Sequence, residues 1–297
     1  MYKILFLSVI FLLISCKSKS SQVEQKSDSI NPLAASDSVL FDYQSAINEL
    51  QKKLSEDFII KSYSCFIVAS NLNETETNRI IEHTIAGAEV CFYNNYFEKK
   101  PDELITIFLF KDDNTYRYWA KKLYGDTDLS RFGYYKPSKR TMLMNINTGG
   151  GTLVHEMTHA FVRYDFPDIP SWFNEGLGSL YERCSMNNNE ILGHTNWRLP
   201  ELQDAIKDKS YTSLQTLINT NDDEFYGDNS SLNYAQARYL CQFLQEKKLL
   251  KSFYKTFRDN YEKDKTGKTF LEEVTKMKLA DLDYVYVEWV KALKYSD

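Results

Sequence analysis

His155-Glu156-Met157-Thr158-His159 places two imidazoles four residues apart, with a carboxylate next to the first. On a helix that spacing sets both rings one turn apart on one face, close enough to hold a single metal ion from the same side. Leu153, Met157, Ala160, Phe161 and Tyr164 form a stripe on the opposite face, so the rings turn away from the core and toward a cleft. The chain has only four histidines, and this segment uses two of them. Zinc takes neutral imidazole readily, and a reactive zinc site has three protein ligands and one open position. The third ligand must come from another part of the chain.

Glu175, in Trp172-Phe173-Asn174-Glu175-Gly176-Leu177, is the candidate. Between His159 and Glu175, Pro167 and Pro170 stop the first helix and turn the chain. Ser171 is expected to cap a second helix, which sets Glu175 in its first turns, facing back toward the histidine pair.

The His155-Glu156-x-x-His159 segment followed by Trp172-Phe173-Asn174-Glu175-Gly176-Leu177-Gly178 resembles the gluzincin metallopeptidases, the thermolysin-like class, and within them the bacterial peptidase MA-like group. Gly178 stands where that group usually has Ala, and the gap from histidine to glutamate is shorter than in thermolysin; neither departure removes a ligand. The resemblance is specific over residues 153–181, with weaker echoes at 234–237 and 270–293. It implies a zincin-like fold and one Zn2+ per chain on His155, His159 and Glu175. It also implies hydrolysis of a peptide or protein substrate, with Glu156 as general base rather than ligand. Enzymes of this class add a Tyr or His donor for the oxyanion. Tyr234, heading Tyr234-Ala235-Gln236-Ala237, is the first candidate and His194 the second. Tyr234 equally fits an ordinary apolar stripe with Ala237, Cys241 and Leu244. In zincins an edge strand before the metal helix pairs with extended peptide, which assigns substrate contact to Met142, Met144 and Asn145. A place inside the sheet is the other reading of that strand.

The elements that must carry these residues follow from periodicity. Tyr43, Ile47, Leu50, Leu54 and Phe58 predict an amphipathic helix, residues 65–69 a short buried strand, and 74–97 a long helix with Ile80, Ile81, Ile85, Ala88 and Phe92 inward. Residues 104–110 are the strongest strand signal, a helix follows at 115–124, and 140–147 reads as a strand ended by Gly149, Gly150 and Gly151. Everything later looks helical. The order predicts an α+β fold with a small N-terminal mixed sheet and a mostly helical C-terminal lobe, one catalytic unit over 41–297 with lobes of about 41–165 and 166–297.

Composition narrows the setting. With 297 residues, 43% hydrophobic and 14% aromatic, the chain can bury a core, which excludes general disorder. A net charge of -5 with no basic block excludes a nucleic-acid partner. Lys3 precedes an apolar run over 4–14 that is too short to span a bilayer, so 1–15 reads as a signal peptide. Its ending, Leu13-Ile14-Ser15-Cys16, resembles the lipobox of bacterial lipoproteins, which makes Cys16 the lipidated residue and 16–40 a flexible tether. That places the protein in the bacterial cell envelope, joined to a membrane by its lipid, with Lys17 favouring the outer membrane. Cys65, Cys91, Cys184 and Cys241 lack C-x-x-C spacing and are expected as buried thiols, a Cys65 and Cys91 disulfide being the alternative. The leading expectation is a tethered zinc metallopeptidase. The alternatives are a non-catalytic surface lipoprotein of the same fold and a zinc hydrolase of cell-wall material.

Overall fold

Ile105–Phe110 is apolar at every position but Thr106, the pattern of a strand covered on both faces, and it forms the middle of a five-stranded sheet. The computed structural model describes residues 41–295, so the signal segment, Cys16 and the whole of the tether lie outside the described residues. In chain order come α1 (Tyr43–Lys53), β1 (Ile59–Tyr63), β2 (Phe66–Ser70), α2 (Glu74–Arg79), a π-helical turn (Ile80–Ile85), α3 (Ala86–Asn95), β3 (Ile105–Phe110), α4 (Asp113–Tyr124), β4 (Gly133–Lys136) and β5 (Thr141–Asn145). Then follow α5 (Gly151–Asp165), α6 (Ser171–Leu180), the hairpin of β6 (Cys184–Asn187) and β7 (Glu190–Gly193), α7 (Leu199–Lys207) and α8 (Leu214–Leu217). The chain closes with α9 (Asp222–Phe225), α10 (Ser230–Glu246), α11 (Leu250–Asn260), α12 (Lys268–Thr275) and α13 (Leu279–Ala292). The architecture is α+β, a small mixed sheet with a mostly helical remainder.

The sheet order is β1-β2-β3-β5-β4. Its three inner strands are parallel, while β1 and β4 pair antiparallel at the two edges. Alternation along the strands feeds two apolar layers. Val68, Ile107, Leu109, Met142 and Met144 join the cluster that holds Phe92, Leu153 and Met157, whereas Ala69, Phe108, Phe110 and Leu143 pack with Tyr116, Trp119 and Ala120 of α4.

Several elements depart from the sequence expectation. The helix expected over 74–97 is continuous over 74–95, but one turn widens to π geometry, and the adjacent Ile80 and Ile81 are both buried there with Ile85, Ala88 and Phe92. β1 and β4 are short edge strands with little alternation to betray them. The β6-β7 hairpin interrupts what was expected to be all helix; its turn residues Asn188 and Asn189 both have positive φ, +50° and +61°, which suits a tight hairpin turn. Cys65, Cys91 and Cys241 are buried free thiols and Cys184 is a partly exposed one, so the alternative disulfide does not form.

Position 165, where two lobes were expected to meet, is a fastened joint. The buried Asp165 carboxylate accepts from the backbone N–H groups of Glu98 and Lys99 at 2.7 and 2.8 Å, from Tyr254 Oη at 2.8 Å and from Arg258 Nη1 at 2.9 Å. Burial alone would raise its pKa, but the Lys99 amide, Arg258, the Glu98 amide and Tyr254 outweigh burial and hold it below the ordinary carboxylate value. Because the native pKa is depressed, this stabilisation is present above about pH 4, the unfolded value, and is lost as pH falls through the lower native one. Asp165→Asn should cost about 1–3 kcal/mol at neutral pH, since its amide nitrogen would face the Tyr254 and Arg258 donors that now share one carboxylate oxygen. In urea unfolding followed against pH, the gap between variant and wild type should narrow below about pH 4.

Candidate metal centre

The helix α5 carries His155, Glu156 and His159, with Leu153, Met157, Ala160 and Phe161 buried on the opposite side and Tyr164 at the margin of the same core. Its first residue has to be glycine. A Cβ on Gly151 would stand 1.9 Å from the carbonyl oxygen of Glu182, so only a bare backbone lets α5 begin against the end of α6. After Pro167 and Pro170 the chain turns into α6, as the prolines predict. Ser171, however, is not the cap: Pro170 occupies that position, its carbonyl accepts from the Phe173 and Asn174 amides, and Ser171 Oγ donates to Asp222 Oδ1 at 2.5 Å. A proline in extended conformation already sets the helix entry, which frees the serine hydroxyl to tie α6 to α9.

Glu175 points back at the histidines. Its Oε2 lies 3.4 Å from His155 Nε2 and 3.3 Å from His159 Nε2, and the two Nε2 atoms are 2.8 Å apart. Bonds of about 2.0–2.1 Å in a tetrahedron hold ligand atoms about 3.3–3.4 Å apart, so the two carboxylate distances suit an ion directly and the imidazole pair must open slightly. Glu175 Oε2 is buried and, despite this closeness, makes no aligned hydrogen bond to either ring among the described residues. His159 Nδ1 is 2.9 Å from Asn174 Oδ1, an atom that only accepts, so Nδ1 bears the hydrogen and Nε2 faces the carboxylate. Tyr226 Oη donates to Glu175 Oε1 at 2.8 Å, which leaves Oε2 as the oxygen offered to an ion. Among the described residues, His155, His159 and Glu175 form the one such group of potential ligands.

The Glu175 carboxylate and the His159 imidazole shift one another's titration. Burial works against a charged His159, yet the Glu175 carboxylate above all, with Glu156 and Asn174, raises its pKa to about 9. Burial likewise opposes an ionised Glu175, but the paired histidines hold it well below the ordinary value. Gly178 fits this picture: a Cβ there would lie 3.1 Å from His159 Cε1 and 3.2 Å from His155 Nδ1, so glycine lets α6 close on both rings.

Glu156 stays out of the ligand cluster and lines the cleft, its Oε2 accepting from the Tyr135 backbone N–H at 3.1 Å. The open space forms two arms, of about 580 and 1000 Å³, that share His155, Glu156 and Tyr234. Tyr134, Tyr135, Ile169 and Tyr226 line the first; Arg131, Phe132, Trp197 and Arg198 line the second. Tyr234, at the start of α10, lines both arms, and burial followed by the nearby Glu175 charge raises its pKa.

Two expectations fail. Met142, Met144 and Asn145 do not face substrate space, because β5 lies between β3 and β4 and all three side chains are buried. The edge strand is β4, and its residues border both arms, Tyr134 and Tyr135 the first and Gly133 the second. His194 is exposed, pairs with Ser185 Oγ at 2.7 Å and lines a different cleft with Gln242, Glu246 and Lys294. It lines neither arm of the cleft at the histidine pair. The sequence reading also missed Tyr226 and Tyr135, which sit outside any periodic stripe and reach the site only through the fold. No family model matches the chain, and no curated protein matches it.

Proposed function

We propose that this chain is a zinc-dependent metallopeptidase of gluzincin type and zincin-like fold, held at the bacterial cell envelope by a lipid on Cys16. The observation that carries the reading is the convergence of His155 Nε2, His159 Nε2 and Glu175 Oε2 beside an unligating Glu156 in an open cleft. Zinc bound there would polarise a water and bring its pKa toward neutrality. Glu156 takes the proton from the attacking water and returns it to the leaving amine. The Tyr135 N–H bond keeps that carboxylate fixed while it changes charge. Tyr234 donates a hydrogen bond to the oxygen that becomes negative. Because Phe132 O accepts from Asn145 N within the sheet, the alternation of an antiparallel pair turns the backbone groups of Gly133 and Tyr135 outward; the Tyr135 N–H goes to Glu156, which leaves the Gly133 N–H and C=O and the Tyr135 C=O for an extended peptide along β4.

Zinc-loaded protein incubated with a mixed-sequence peptide library should generate new internal amino termini, stopped by a chelator and restored by added zinc. A fully loaded protein that leaves every peptide intact contradicts the reading. Soluble fragments released only from cell-wall material would reassign the bond it cuts.

A further inference from the structure

One buried nitrogen in the centre has no partner within hydrogen-bond range among the described residues: His155 Nδ1. A metal-ligating imidazole ordinarily donates its other N–H to an acceptor, which fixes the tautomer and orients the ring. Asn174 does this for His159. On the His155 side stands Glu182, its Oε1 3.7 Å from Nδ1, just beyond hydrogen-bond range.

Glu182 is not a loose surface acid. Arg198 grips it with a fork, Nε to Oε2 at 3.0 Å and Nη2 to Oε1 at 2.8 Å, and Asn196 Nδ2 donates to Oε2 at 2.9 Å. Asn196 is itself fixed, since Tyr239 Oη accepts from its N–H and donates to its C=O, both at 3.1 Å. The Glu182 backbone is locked as well, because its carbonyl abuts Gly151 at the start of the helix that carries His155. Arg198 also lies 5.1 Å over the ring of Tyr234, so the same guanidinium borders the ligand shell and the cleft wall.

We propose that Glu182 is a positioning residue of the metal centre: its Oε1 accepts the Nδ1–H of His155 when Nε2 holds the ion, and Arg198 with Asn196 keeps it aimed there. The inference rests on the metal reading of the site. A purely structural Glu182, serving only Arg198, would leave His155 indifferent to its replacement.

Cobalt(II) is the probe, because it reports ligand geometry by its visible spectrum and shifts the exchangeable ring N–H protons of each histidine ligand far from the rest. In wild type both ring protons should be seen, and that of His155 should exchange slowly with water. Glu182→Met, which keeps the length of the side chain and removes both acceptor oxygens, should weaken cobalt binding about 10- to 100-fold. It should also move or abolish the His155 signal while the His159 signal, held by Asn174, stays. Binding within twofold of wild type with both signals unmoved overturns the proposal and leaves the metal centre standing. Wild type that takes up no cobalt overturns the metal reading and the proposal together. If Glu182→Met does not fold, the wild-type protein still decides: fast solvent exchange of the His155 ring proton overturns the assignment.

Discussion

Glu156→Gln is expected to lower kcat/KM for peptide hydrolysis by about 10²–10⁴-fold while the protein keeps its full complement of zinc. That loss equals roughly 2.7–5.5 kcal/mol of transition-state stabilisation, the share carried by a positioned proton acceptor. The substitution is a clean one here. Glu156 is absent from the ligand cluster, so the metal has no reason to leave. Among the described residues its one hydrogen bond is accepted from the Tyr135 amide, and the glutamine carbonyl can accept the same bond, so the side chain stays in place without its basicity. The fall should appear in kcat with KM little changed, since the group acts on a proton in flight and not on ground-state binding. Metal content and steady-state kinetics on one preparation check both halves. An inactive protein that has also lost zinc would mean that Glu156 is a ligand and the assignment of roles is wrong.

The second large effect is expected at Glu175. Glu175→Ala removes one of three ligand atoms and leaves Tyr226 Oη without its acceptor. Zinc affinity should fall by more than about 100-fold, beyond what changes outside the ligand set ordinarily cost. The fold should tolerate the change, because the side chain borders the cleft and not the aromatic core of Phe173, Phe253 and Phe257 behind α6. Thermal unfolding separates the two consequences. Zinc in excess of its Kd raises the wild-type Tm by mass action, whereas the variant should unfold near the metal-free wild type and gain nothing from zinc. A variant still stabilised by zinc as strongly as wild type would remove Glu175 from the ligand set.

Particular residues show how far the sequence could be read. The α5 face was legible because Leu153, Met157, Ala160 and Phe161 repeat at helical spacing and leave His155 and His159 on the other side. Glu175 was legible because Pro167 and Pro170 force the turn that brings α6 back. β5 was misplaced at an edge although its own composition argued otherwise: Thr-Met-Leu-Met-Asn is apolar on both faces, which an edge strand bordering a cleft does not require. The true edge, Gly-Tyr-Tyr-Lys in β4, is too short to show a period. Gly133 did leave a signal, because its positive φ of 145° and the 2.7 Å from a built Cβ to Leu143 O demand glycine there. The β6-β7 turn could have been found from Asn188-Asn189, a pair that tolerates positive φ. Tyr226, Glu182 and Arg198 could not, because their partners are set by tertiary packing that no local pattern encodes.

The central claim is that His155, His159 and Glu175 hold one zinc ion. Titration of zinc into chelator-stripped protein, with the bound metal counted by elemental analysis and repeated on His155→Ala, tests it most directly. We expect one ion per wild-type chain and none retained by the variant at the same free zinc. Binding at a different stoichiometry, or binding that survives His155→Ala unchanged, would contradict the account.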